Sequence, residues 1–212
     1  MQNLESLEMG NFYHIFNRGV NKENIFKNPG NYTYFLSKYY QYISPVADTF
    51  AYCLLRNHFH FLIRIKKEII VNGDSAVFAD WNHKEKLAYI SQQFSHLFNC
   101  YAQAINKQNL RTGGLFQHRF KRVLVKDEFQ FDNLIWYIHS NALKHRFVKE
   151  FNHYPYSSYP ILIGRNDTWL MKDELFNKFG GRVEFIAYHL QQQKYYKALA
   201  NFDETYESFA ST

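Results

Sequence analysis

Cysteine is scarce. Cys53 and Cys100 are the only two in 212 residues, each in apolar surroundings and with no CxxC pairing, as expected of buried free thiols in a reducing compartment. Long apolar runs are missing as well, so no segment approaches the length needed to cross a bilayer and no membrane partner is expected. The opening "MQNLESLEMG" carries acidic residues and no apolar stretch, so no signal peptide is expected and the location expected is the cytoplasm. There is no phosphate-binding glycine loop and no dinucleotide fingerprint, so chemistry that needs no ATP is expected. Internal repeats and low-complexity tracts are absent too.

What is present describes a globular protein. A chain of 25.5 kDa with 46% hydrophobic and 21% charged residues can bury one proper core. Aromatics make up 19%, with 21 Phe and 17 Tyr. Most of these belong in a core, but aromatics also serve as stacking platforms for unpaired bases. The net charge of +6 is uneven: residues 1–165 hold twenty basic and twelve acidic residues, residues 166–212 five and seven. A basic body with an acidic tail points to a polyanionic partner, nucleic acid first.

Periodicity gives the architecture. "FYHIF" (Phe12–Phe16) reads as a strand that stops at the turn signal Asn17-Arg18-Gly19. "NYTYFLSKYYQYIS" has aromatics at helical spacing, with Asn31 as its expected N-cap. "TFAYCLL" and "HFHFLIR" read as two strands separated only by Arg56-Asn57, a tight hairpin. Lys84 to Lys107 is a long amphipathic helix with Leu87, Ile90, Phe94, Leu97, Phe98 and Tyr101 on one side. "FKRVLV" follows as a fourth strand, and Asp127 caps a helix through "FQFDNLIWYIHSNALKH". The order β-α-β-β-α-β-α predicts an α+β, ferredoxin-like (RRM-like) domain with a four-stranded, mostly antiparallel sheet. Two short helical patterns, near Lys172–Phe179 and Val183–Tyr195, form a helical tail, so the expected division is a catalytic-type domain over 1–165 and an extension over 166–212.

Three stretches could carry chemistry. In "RNHFHFLIRI" strand alternation puts His58 and His60 on one face, which suits a metal ion or, as a simpler role, two imidazoles hydrogen-bonded at an edge. In "IWYIHSNAL", Tyr137 and Asn141 lie four residues apart on a helix and share a face, either converging on one point or packing as an ordinary half-buried pair. "RTGGLFQHRFKRVLVK" holds five basic residues, two phenylalanines and no acid. It is either a charged strand edge that resists aggregation or a surface that tracks a nucleic-acid backbone.

Together these pieces carry a resemblance. The segments "FNRG", "YCLLRNHFHFLI", "GGLFQHRFK", "YIHSN" and "YPYSSY", in this order over roughly residues 10 to 165, resemble the single-tyrosine transposases of the HUH superfamily, and most of all the REP-associated tyrosine transposases. The resemblance implies a metal-dependent nuclease and strand transferase that acts on single-stranded or hairpin DNA. It implies Tyr137 as nucleophile and a divalent cation, Mg²⁺ or Mn²⁺, held by His58, His60 and Asn141. Arg18, Arg111, Arg119, Lys121 and Arg122 are the expected DNA contacts, in a monomer or homodimer. The chain departs from the family at one point: where the family often continues Asn-Pro and a basic residue, Asn141 is followed by Ala142-Leu143-Lys144. A four-stranded sheet with aromatics and a basic rim also describes a non-catalytic binder of single-stranded nucleic acid, which is the alternative reading.

Overall fold

Alternation along β1 (Phe12–Arg18) buries Tyr13, Ile15 and Asn17 on one face and leaves Phe12, His14, Phe16 and Arg18 on the other. The computed structural model of the chain describes residues 5–210, with side chains described to residue 199. After a 3-10 turn at Val20–Lys22 comes α1 (Pro29–Ile43), then β2 (Ala47–Leu55) and β3 (His58–Ile65), joined through Arg56 and Asn57 alone. A short α2 (Ser75–Asp80) precedes α3 (His83–Gln108), which starts on a capping box between Asn82 and Glu85. β4 (Lys121–Val125) leads into α4 (Glu128–Lys144), capped by the Asp127 side chain on the Gln130 amide at 2.7 Å.

The sheet order is β2-β3-β1-β4 and every pairing is antiparallel. This is the expected α+β arrangement, with no parallel pair among these strands. One face is covered by α1 and α3: Phe35 meets Phe59 at 5.2 Å between ring centroids, Tyr39 stacks on Phe61 at 4.1 Å, and Phe98 stacks on Phe59 at 5.7 Å. On the other face α4 sets Phe131 against Phe12 and Phe50, at 5.2 and 5.6 Å, and leaves the β3–β1 end open. Edge-to-face rings of this kind add to the area they bury.

The "YPYSSY" segment has a structural task. It runs along the free edge of β2, where the Leu54 and Ser158 amides donate to the Tyr156 and Tyr52 carbonyls at 2.9 Å each. The Tyr154 hydroxyl adds a bond to the Leu54 carbonyl at 2.8 Å, so the edge offers little to another chain. His139 on α4 meets the Ser158 hydroxyl at 2.8 Å, which ties the same segment to the helix that carries Tyr137. Gly19 is required sterically: a Cβ there would collide with the carbonyl oxygen of Glu23.

Several local readings are corrected. Asn28, not Asn31, caps α1; its side chain accepts from the Asn31 amide at 3.1 Å, and Pro29 takes the first helical position, where its missing N–H is harmless. Asn31 lies inside the helix, with its amide donating to Gln108 at 2.8 Å. The expected apolar side of α3 does face the core: Ile90, Phe94, Leu97 and Tyr101 are buried, and Leu87 and Phe98 half-buried. Cys53 is buried, but Cys100 is half-buried beside the Tyr34 hydroxyl.

The chain divides into two compact units, Met1–Pro160 and Ile161–Thr212, with the boundary inside α5 (Tyr159–Ile163). The second unit contains α6 (Lys172–Lys178) and α7 (Arg182–Ala210). α7 extends well beyond the expected Tyr195 because no glycine or proline interrupts the chain after Arg182. Among the described residues no helix is long and apolar enough to cross a membrane.

Candidate active site

The open end of the sheet collects the polar residues. Register places Phe16 opposite His60 and Arg18 opposite His58 on one side of β1, and Phe16 opposite Lys121 on the other. His14, Phe16, Arg18, His58, His60 and Lys121 therefore share one face. Sequence spacing does not single out His14, yet its Nε2 lies 2.9 Å from the Nδ1 of His60, with the two rings stacked at 5.1 Å.

α4 brings in the tyrosine. Tyr137 meets His60 edge-on at 5.4 Å between centroids and His14 at 5.9 Å, and it remains 37% exposed. Among the described residues its hydroxyl has no hydrogen-bond partner, so nothing in them occupies it. Asn141, one helical turn on, is only 1% exposed. Its Nδ2 donates to the Tyr137 carbonyl at 2.9 Å, which fixes the amide and leaves its Oδ1 to accept or ligate. The same side chain favours the protonated form of the His58 ring and so lies beside it.

The imidazoles are held neutral. Burial pulls His58 down to about 4, helped by the nearby His145 and Arg18, and it pulls His14 to about 4. His60 is lowered well below the ordinary histidine range, first by burial and then by His14 and His58. The tautomer of His58 is set as well. Asn57 donates through Nδ2 to the Lys22 carbonyl at 3.2 Å, so its Oδ1 faces the His58 Nδ1 at 2.7 Å and must accept from it. The Nε2 of His58 is left with a lone pair. Neutral imidazoles with an oriented second nitrogen are what a metal ligand needs.

Two neutral imidazoles and a fixed amide oxygen make an N,N,O set with no negative charge. Among the described residues no group of three or more His, Cys, Asp or Glu comes together as a metal cluster. The set fits a weakly held cation that needs an anionic ligand from elsewhere, and imidazole favours Mn²⁺ over Mg²⁺.

The expected DNA-contacting cations separate three ways. Arg18, Arg119 and Lys121 line a cleft of about 340 Å³ together with His58, His60 and Tyr137. The Nε of Arg18 is buried there without a partner among the described residues. Arg111 is engaged by its own surroundings, at 2.8 Å from Asn106 and 3.1 Å from Glu23. Arg122 pairs with Ile15 in register and so faces the opposite side of the sheet. A larger cavity of about 530 Å³ lies at the other end of the sheet, but there Asp48 holds Arg64 at 2.7 Å and Lys66 at 3.9 Å. It contains none of the histidines.

No family model matches the chain. A Haemophilus influenzae protein assigned to the REP-associated tyrosine transposases is 30% identical to it over 114 residues. That match takes in 53% of this chain and 58% of the relative, so the chain spans little more than half the length of the curated relative. A solved structure of a REP-associated tyrosine transposase bound to a REP hairpin superposes with a TM-score of 0.53, covering 78% of this chain and 86% of that one. Sequence identity there is 14%, so the likeness is one of fold. The resemblance read from the sequence holds.

Against the REP-associated pattern, the missing proline after Asn141 has a structural consequence. α4 continues through Ala142 and Leu143, both buried where a kink would disturb them, and ends at Lys144. The last residue of α4 sets the Lys144 Nζ 4.7 Å over the Tyr137 ring, a contact not anticipated from sequence. Burial lowers the Lys144 pKa from its ordinary value.

Proposed function

We propose that the chain is a transposase-type DNA nuclease and strand transferase that cuts hairpin-containing single-stranded DNA through Tyr137. The observation that carries this reading is the convergence of an unoccupied tyrosine hydroxyl, two neutral histidines and three cations on one open cleft. A non-catalytic binder needs the cations but has no use for the rest.

Tyr137 Oη attacks the phosphorus of a backbone diester, and the P–O bond to the 3′ oxygen breaks. The phenolic proton is released and the departing 3′ oxygen takes one up, leaving a free 3′ hydroxyl and a 5′-phosphotyrosine. A second 3′ hydroxyl reverses the step onto a new strand, so no nucleotide is consumed, consistent with a chain that has no nucleotide-binding motif. Arg18, Arg119 and Lys121 hold the flanking phosphates, which sets the line of attack. His58, His60 and Asn141 would hold Mg²⁺ or Mn²⁺, and the chemistry such an ion would supply is neutralisation of charge on the phosphate oxygens. Lys144 positions the tyrosine ring through its charge over the ring face. All of these residues fall in the first compact unit, to which we assign the chemistry.

The test is incubation with a labelled DNA hairpin library and Mn²⁺, followed by denaturing gels. With the label on the 3′ side of the cut, a denaturation-resistant labelled species at the combined mass of the protein and its attached strand is expected. Hairpin retention on native gels with no denaturation-resistant species would favour the non-catalytic binder.

A further inference from the structure

β4 is an edge strand with cations on both faces. Arg122, turned away from the histidines, lines a separate pocket of about 450 Å³ with Ser91 and Ser95 of α3, Arg119 and Phe120. Its guanidinium sits over the Phe120 ring at 4.8 Å, and its Nε is buried with no hydrogen-bond partner among the described residues. No carboxylate lines this pocket, and among the described residues neither arginine forms an ion pair. Burial lowers Arg122 from its ordinary pKa; the nearby Tyr13 opposes this, and the charge of Arg119 adds to it. Two adjacent guanidiniums, one of them half-buried with its Nε shut off from solvent and unpaired, repel each other, and an anion between them would relieve both costs.

The anion they suit is a phosphodiester. Guanidinium forks match phosphate oxygens in geometry and charge, and the Ser91 hydroxyl adds a donor beside them, while the Ser95 hydroxyl donates to the Ser91 carbonyl at 3.2 Å. Unpaired bases would need a free aromatic face, and the pocket has none to spare: Phe120 carries Arg122 and packs against Phe94 at 5.1 Å and Phe98 at 5.2 Å. A site that reads phosphates but offers no stacking surface is suited to the outside of a duplex. Arg119 lines both this pocket and the histidine cleft, so a continuous line of positive charge passes around the β4 edge.

We propose that the Ser91–Ser95–Arg119–Arg122 pocket is a second phosphate site, which holds the backbone of the paired stem while the strand to be cut rounds β4 into the cleft. The proposal rests on the DNA-cutting reading above and adds the place where duplex DNA is held.

Binding of two fluorescent DNA probes tests it: a short, perfectly paired stem-loop without flanks, and a single strand of the same length that cannot fold. Ser95→Glu puts a carboxylate into the pocket from an exposed helical position, and Arg122→Gln removes the unpaired charge, with melting curves checking that each variant folds. Stem-loop affinity is expected to fall about tenfold, and the slope of log affinity against log salt to flatten by about 0.9 for each phosphate no longer neutralised. Single-strand affinity is expected to stay within about twofold. Unchanged stem-loop binding in both folded variants, or equal losses on the two probes, would overturn the proposal. Adduct formation by the wild-type protein is scored separately. Its absence would remove the cleavage reading and leave the stem comparison decisive for this site.

Discussion

The Nε2 of His14 lies 2.9 Å from the Nδ1 of His60, a distance at which one of the two nitrogens must carry the proton. If His60 donates, its own Nε2 keeps a lone pair toward the cleft. His14 then selects the metal-binding tautomer without touching the metal. His14→Ala is expected to weaken Mn²⁺ binding about tenfold, the usual scale for such outer partners, and His14→Gln to restore most of it. Calorimetric titration of Mn²⁺ checks this. Equal affinity in the wild type and the alanine variant would show that His14 only packs.

Much of this site is legible from spacing. His58 and His60 fall together because strands have period two, and Tyr137 and Asn141 because helices bring residues four apart onto one face. His14 is not legible, since its place beside His60 depends on how β1 registers against β3, a strand far along the chain. The same limit hides the separation of Arg122 from Lys121. Alternation puts neighbours on opposite faces, but only the pairing of Phe16 with Lys121 says which face holds the histidines. Lys144 is obscured by the missing proline, because its position over Tyr137 requires the helix to continue. Arg111 counts as a free charge in the sequence and is a loop brace in the fold.

Stability should depend on pH in a defined window. His14 and His58 have folded-state pKa values of about 4 against 6.5 for the free side chain, so the unfolded chain binds protons that the folded one refuses. Their contribution is complete above pH about 6.5 and is lost as pH falls toward about 4, below which the folded state also takes up protons. Melting temperatures are expected to fall across that interval, and to fall less in a His14→Gln, His58→Gln double variant. Parallel curves for the two proteins would contradict the assignment.

Lys144→Met keeps the aliphatic stem and removes the charge above Tyr137. An exposed cation–π contact is worth about 0.5–1 kcal/mol and a desolvated one about 2, so adduct formation is expected to slow roughly twofold to thirtyfold. Hairpin affinity should change little, because Lys144 is placed against the ring and not in the cleft lining. A large loss of affinity with an unchanged rate would assign Lys144 to phosphate instead.

Salt dependence separates the cations. Replacing Arg18, Arg119 or Lys121 by alanine is expected to flatten the log–log slope for single-stranded DNA by roughly 0.7 per phosphate left unneutralised. Arg111→Ala should leave the slope alone and lower the melting temperature, since that side chain braces Asn106 and Glu23. Fluorescence titrations at several salt concentrations distinguish the two behaviours.

Asn141→Leu should weaken Mn²⁺ binding and slow cleavage, because it removes the one oxygen of the donor set. It also removes the bond to the Tyr137 carbonyl, so some loss of stability is expected with it. Wild-type Mn²⁺ affinity in this variant would exclude Asn141 as a ligand.

The central claim is that Tyr137 becomes covalently joined to DNA. Peptide mapping of the protein–DNA adduct by mass spectrometry, run beside Tyr137→Phe, measures this directly. A phosphotyrosyl-nucleotide is expected at Tyr137 in the wild type, with no adduct in the phenylalanine variant and hairpin affinity within a few-fold of normal. An adduct that persists in Tyr137→Phe, or that maps to another of the 17 tyrosines, would contradict it.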